Sequence, residues 1–104
     1  MAKQTIVELN SRIARSREVV STEVDGEVVM MSVEQGNYSG LDGIGSEIWH
    51  LLESPLRVSD ICDQMMARYH VEKDVCEKDV LTFLNDLASD DTIRVLSKKE
   101  DMAT

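Results

Sequence analysis

Residues 18–52 read EVVSTEVDGEVVMMSVEQGNYSGLDGIGSEIWHLL, and this stretch decides the fold. Two runs rich in β-branched residues, 18–24 and 27–33, flank Asp25-Gly26, a dipeptide that readily supplies the positive φ of a two-residue hairpin turn. After Glu34-Gln35-Gly36, the segment 37–41 (NYSGL) reads as a third short strand turning back along the second. From Asp42, a plausible helix N-cap, the period changes. Ile44, Ile48, Leu51 and Leu52 recur at helical spacing with Trp49 beside them, and Ser54-Pro55 stops the run.

Downstream, a second helix is expected to begin at Ser59 as its cap, with Ile61, Cys62, Met65, Met66 and Tyr69 facing inward. A third spans roughly 74–89, where Cys76, Val80, Phe83, Leu84 and Leu87 form an apolar stripe flanked by Leu81 and Ala88. TIRVL (92–96) adds a short strand, and 97–104 reads as a frayed tail. TIVEL (5–9) is either a further strand or a mobile arm, so residues 1–17 stand apart as a basic arm or extra strand before a domain at 18–96. Strands followed by helices give the α+β class.

Composition narrows the function. A chain of 104 residues with 42% hydrophobic content supports one modest core. No apolar run reaches the roughly 20 residues of a membrane span, and nothing resembles a signal peptide, so a cytoplasmic protein without a membrane partner is expected. Cys62 and Cys76 lack metal or redox spacing and read as buried thiols. Lys and Arg number 11 against 20 Asp and Glu, a net charge of −9. Residues 1–17 hold Lys3, Arg12, Arg15 and Arg17 against Glu8 alone, whereas 18–56 hold eight acids and no Lys or Arg. That balance opposes binding to a nucleic acid.

Four of the five glycines fall between Gly36 and Gly45. They do not form a phosphate loop: the order is G-x-x-G-x-G after a hairpin, and Gly45 is followed by Ser46-Glu47 rather than Lys-Ser/Thr. Glycines either shape two tight turns or leave the main chain of a border strand open to another strand. His50 and His70 belong to no nucleophile–base motif. Glu47 and His50 face alike at i, i+3 but lack the second such pair that a metal would need. Neither catalysis nor a metal or other cofactor is expected.

The order of elements, with Tyr38-x-x-Leu41-Asp42, then Ile48-Trp49 before Leu51-Leu52, then Phe83-Leu84-x-x-Leu87, resembles the pyrroloquinoline-quinone biosynthesis protein D (PqqD) family over about residues 18–96. This family is also known as the recognition element of ribosomally made, modified peptides. A chain of this size looks most like the precursor-binding proteins of lasso-peptide gene clusters. The resemblance implies a winged-helix-like fold, a three-stranded antiparallel sheet followed by three helices, and no catalysis. It further implies capture of a precursor's leader peptide as a strand added to the third strand, beside a groove bordered by the third helix, for delivery to a modifying enzyme or leader protease. By position, the edge is Asn37, Tyr38, Ser39, Gly40 and Leu41, and the helix wall Lys78, Leu81, Thr82 and Asn85. The acidic middle segment suits a peptide carrying Lys or Arg. The alternatives are a winged-helix DNA-binding regulator, with Lys73, Lys78 and Arg94 near phosphates, and an acidic adaptor for a folded protein. An uncovered edge also allows a homodimer.

Overall fold

A computed structural model describes residues 6–33, 36 and 38–96. The hairpin forms as its turn chemistry dictates: β2 (Val19–Val24) and β3 (Glu27–Ser32) pair antiparallel from Val24↔Glu27 to Val19↔Ser32. Asp25 (φ 54°) and Gly26 (φ 85°) both take the left-handed conformation that matches a primed turn to strand twist. β4 (Tyr38–Gly40) pairs antiparallel with β3, giving the strand order β2-β3-β4.

α1 (Gly43–Leu51) starts at Asp42, whose carboxylate accepts the Gly45 N–H at 2.7 Å. This helix is sewn to the sheet by the buried Ser46. Its hydroxyl accepts from the Val28 N–H at 2.9 Å and donates to the Leu41 carbonyl at 3.3 Å, so it bridges two backbone groups where the β3–β4 ladder ends. Gly45 answers the question of the clustered glycines at one position: a Cβ there would lie 3.1 Å from the Phe83 ring, so its absence lets α1 approach the helix that carries Phe83.

A second sheet lies outside the expected three strands. β1 (Arg12–Arg15) runs between β5 (Leu56–Arg57) and β6 (Ile93–Val95), antiparallel to both. The N-terminal strand is therefore RIAR rather than TIVEL, and its Ile13 is fully buried in the core shared with residues 18–96. Residues 6–9 form no strand, yet Val7 is buried and its backbone N–H and carbonyl are both held by the Asn85 amide, at 2.9 and 3.3 Å. The expected strand near the C-terminus is β6. The expected tail, 97–104, and residues 1–5 lie outside the described residues.

α2 (Val58–Arg68) begins one residue before the expected cap. Ser59 is not the cap; Arg57 holds that position and makes no side-chain capping bond, its guanidinium donating instead to the Asn10 carbonyl at 2.8 Å. The first-turn donors go instead to backbone carbonyls of the N-terminal segment: Val58 N–H to Ser11 and Ser59 N–H to Leu9, both at 3.0 Å. α3 (Lys73–Ser89) packs along α2 and leads into β6. Trp49, Ile61, Leu84 and Val58 sit at the centre of the core.

Cys62 and Cys76 are free, buried thiols on facing helices. Burial raises both thiols' pKa, that of Cys62 to about 12. Since the folded state holds these protons more tightly than the unfolded chain, their contribution to stability is full below about pH 9 and is lost as pH rises toward 12. Neither should react with a disulfide reagent such as DTNB at pH 8 in the native protein, and both should react after denaturation. Rapid native labelling would show that the α2–α3 contact opens.

Candidate functional site

β4 ends its sheet. The Leu41 N–H donates to the Val28 carbonyl at 2.9 Å, so the period-two alternation points the backbone groups of Ser39 toward β3 and those of Tyr38 and Gly40 outward. Among the described residues no strand pairs with that outer edge. Of the five residues expected to form it, Tyr38 and Gly40 thus present open main-chain groups, Ser39 is turned inward, and Leu41 is buried with both backbone groups engaged. Asn37 lies outside the described residues.

The chain passes from β4 through Leu41 into the Asp42 cap, and there the edge meets an apolar cleft of about 370 Å³. Asp42, Ile44, Gly45 and Ile48 form one wall, and Cys76, Asp79, Val80 and Phe83 of α3 the other; Met65, Tyr69 and Val71 close it. Its volume falls in the range of small-ligand or side-chain pockets. Ile44, on the apolar stripe of α1, and Tyr69, expected to face inward, are 47% and 39% exposed. Their apolar surface lines the cleft instead.

None of Lys78, Leu81, Thr82 and Asn85 lines it. On α3, positions 76, 80 and 83 share one face, and 78, 81, 82 and 85 fall away from it at 100° per residue. Leu81 is half-buried against the core, Asn85 is taken by Val7, and the Thr82 hydroxyl donates to the Lys78 carbonyl at 2.9 Å on the exposed side. The sequence signal that marks the lining of the cleft is width. The apolar stripes of α1, α2 and α3 contain more residues than the core consumes, and the surplus members Ile44, Tyr69 and Phe83 converge on one spot.

The charged groups that line the cleft, Asp42 and Asp79, are acidic. They stand at opposite walls, and Glu47 accepts hydrogen bonds from Arg68, at 2.7 Å, and from the Tyr69 hydroxyl. Glu47 and His50, expected to face alike, part company: His50 Nε2 lies 3.0 Å from Glu23 of β2. Among the described residues no group of three or more His, Cys, Asp or Glu is placed to hold a metal ion, and no helix is long and apolar enough to cross a membrane.

The model of the family described as coenzyme PQQ synthesis protein D (PqqD) matches residues 27–93, more than half of the chain. The chain belongs to the PqqD family. The solved structure of TbiB1 in complex with the TbiA(β) leader peptide is similar to this chain at 38% sequence identity, over 82% of this chain and 99% of that one, with a TM-score of 0.76. A lasso peptide synthetase B1 complexed with the leader peptide aligns at TM-score 0.67 over 79% of this chain and 96% of that one. At 17% identity this second match is a likeness of fold. No curated protein matches the chain. The matched region begins at the β3 end of the hairpin and includes β4, α1, α2 and α3, so the open edge and both walls of the cleft are PqqD-family structure.

Proposed function

We propose that this PqqD-family chain is a non-catalytic carrier that binds the leader segment of a ribosomally made precursor peptide and delivers it to a modifying enzyme or leader protease, in lasso-peptide biosynthesis or a related route. The observation that carries the reading is the meeting of an open strand edge with an apolar cleft at the β4–α1 corner. The leader adds as a strand beside Tyr38–Gly40, and its main-chain groups take up the hydrogen bonds that edge leaves open. Every second side chain then points toward the cleft, which fixes the register. The match to TbiB1, solved with a leader peptide, supports the assignment.

The binding energy must exceed the cost of ordering a flexible peptide, so affinity is moderate and release stays possible. Ile44, Val80 and Phe83 supply the apolar anchoring, and Asp42 and Asp79 favour Lys or Arg beside the anchor. A fluorescein-labelled synthetic leader, taken from the precursor encoded nearest this chain's gene, should bind saturably, and more weakly at about 300 mM than at about 50 mM NaCl. Failure of wild-type protein to bind it better than a scrambled peptide would refute the reading.

The same titration tests whether the leader uses the cleft or the Leu81 flank of α3. Ile44→Asp places a charge in the cleft, yet it costs the fold little because Ile44 is exposed in the first turn of α1, where an acid suits the helix dipole. It should weaken leader binding by roughly tenfold or more, the loss of about 1.4 kcal/mol. Leu81→Asp should leave the affinity close to wild type. The reverse pattern would move the wall to the flank of Leu81 and Asn85.

A further inference from the structure

Tyr69 closes the cleft, yet no helical turn holds its ring in place. α2 ends at Arg68, and Tyr69 continues with extended backbone (φ −126°, ψ 143°), so its ring projects from the connection to α3. The rotamer restriction that a helix imposes does not apply there. The ring is also partly exposed, so packing fixes it only on one side. What fixes it on the other is α1: the Tyr69 hydroxyl donates to Oε2 of Glu47, 22 residues away in the chain.

Glu47 itself does not line the cleft. It stands between Ile44 and Ile48, which do, and divides its two oxygens between consecutive residues at the end of α2. Oε1 accepts from Arg68 Nη1 at 2.7 Å and Oε2 from Tyr69. The two arms are unequal. The Arg68 and Glu47 side chains are 46% and 29% exposed, and an ion pair in that setting contributes little. A phenol bound to a carboxylate makes a strong, charge-assisted hydrogen bond, and this one aims the ring that closes the cleft beside Met65 and Val71.

We infer that Glu47 is a positioning residue for the leader site: by holding the Tyr69 ring it sets the width of the cleft, and so decides which size of apolar side chain the cleft retains. This role presupposes the proposed leader binding, but the hold of Glu47 on Tyr69 exists without a leader. Released from Glu47, the ring can turn toward solvent and the cleft loses a wall. A large anchor then loses contacts that a small one never made. Cys76, buried in the α3 wall of the same cleft, becomes reachable.

The test uses the full chain as Glu47→Ala, Tyr69→Phe, the double variant and Arg68→Ala; alanine at 47 keeps the helix. Without leader, DTNB at pH 8 should label one thiol, Cys76 by peptide mapping, roughly tenfold or more faster in Glu47→Ala and Tyr69→Phe than in wild type. Arg68→Ala should stay within about twofold. With leader, an alanine scan of the synthetic peptide finds its anchor residue. Replacing that anchor with alanine should weaken wild-type binding by roughly tenfold or more, and binding to Glu47→Ala or Tyr69→Phe by about threefold or less. The double variant should match the single ones, since both cut the same bond. Tyr69→Phe keeps the charge of Glu47, so an effect shared by the two is not electrostatic. Wild-type thiol protection and anchor discrimination in both single variants would overturn the inference, as would additive effects in the double variant. So would labelling of Cys62 together with Cys76, which would assign the change to opening of the α2–α3 contact. A wild-type chain that binds leader no better than a scrambled peptide, while Glu47→Ala still unmasks Cys76, would instead refute the carrier function and leave the hold on Tyr69 standing.

Discussion

Gly40→Pro is expected to abolish leader capture while leaving the protein folded. Gly40 lies in the pair with Val29 whose backbone groups point away from β3, so proline removes an outward donor without breaking the β3–β4 ladder. The lost hydrogen bond contributes about 0.5–1.5 kcal/mol. The pyrrolidine ring adds a steric barrier where the peptide backbone must approach. A fall in affinity of roughly 30-fold or more should follow, about 2 kcal/mol, measured by anisotropy, with a melting temperature near that of the wild type. Gly40→Ala is the control: it keeps the N–H, and its added Cβ would meet nothing within 4 Å. It should bind normally. Proline and alanine variants with equal, undiminished affinity would exclude strand addition at β4. Ser39→Pro is not equivalent, because Ser39 faces β3 and its loss should unpair the ladder itself.

Trp49→Ala should be the most damaging core substitution. The ring is 1% exposed; its Nε1–H donates to the Ser21 hydroxyl at 3.1 Å, and the Arg15 guanidinium stacks 4.5 Å from the ring centroid while also donating to the Trp49 carbonyl. Burial lowers the Arg15 pKa from its ordinary value, with Glu53 opposing that effect. Removing the indole therefore opens a cavity, strands the Ser21 hydroxyl, and takes away the aromatic face over which a partly desolvated cation rests. The expected cost is about 3–5 kcal/mol, a large part of the roughly 5–15 kcal/mol that holds a domain together. Urea denaturation with an unchanged slope and a much lower midpoint would bear this out. A midpoint close to wild type would mean that the core closes over the gap.

Leader capture and stability therefore draw on neighbouring but separate parts of one corner. Trp49 of α1 faces the sheet and core and Ile48 is buried where the core meets the cleft floor, whereas Ile44, one turn earlier on the same helix, is exposed at the cleft. Helical spacing alone could not separate them, since Ile44 and Ile48 lie four residues apart on one stripe. What separates them is the end of the sheet. Among the described residues no strand beyond Leu41 covers the first turn of α1, so the same stripe passes from core to surface.

By itself the sequence determined the features that depend on a few consecutive residues. Asp25-Gly26 set the hairpin and hence its register, Asp42 started α1, and apolar spacing marked three helices after three strands. These follow from local φ/ψ preference and periodicity, which neighbours in the chain carry between them. Only the tertiary structure decided the rest. β1 finds its partners at Leu56–Arg57 and Ile93–Val95, α2 is capped by the carbonyls of Leu9 and Ser11 rather than by Ser59, and Asn85 is spent on Val7 instead of on a groove. Each of these joins groups far apart along the chain, whose pairing depends on which surfaces the packed elements bring together; no short window of sequence contains that information.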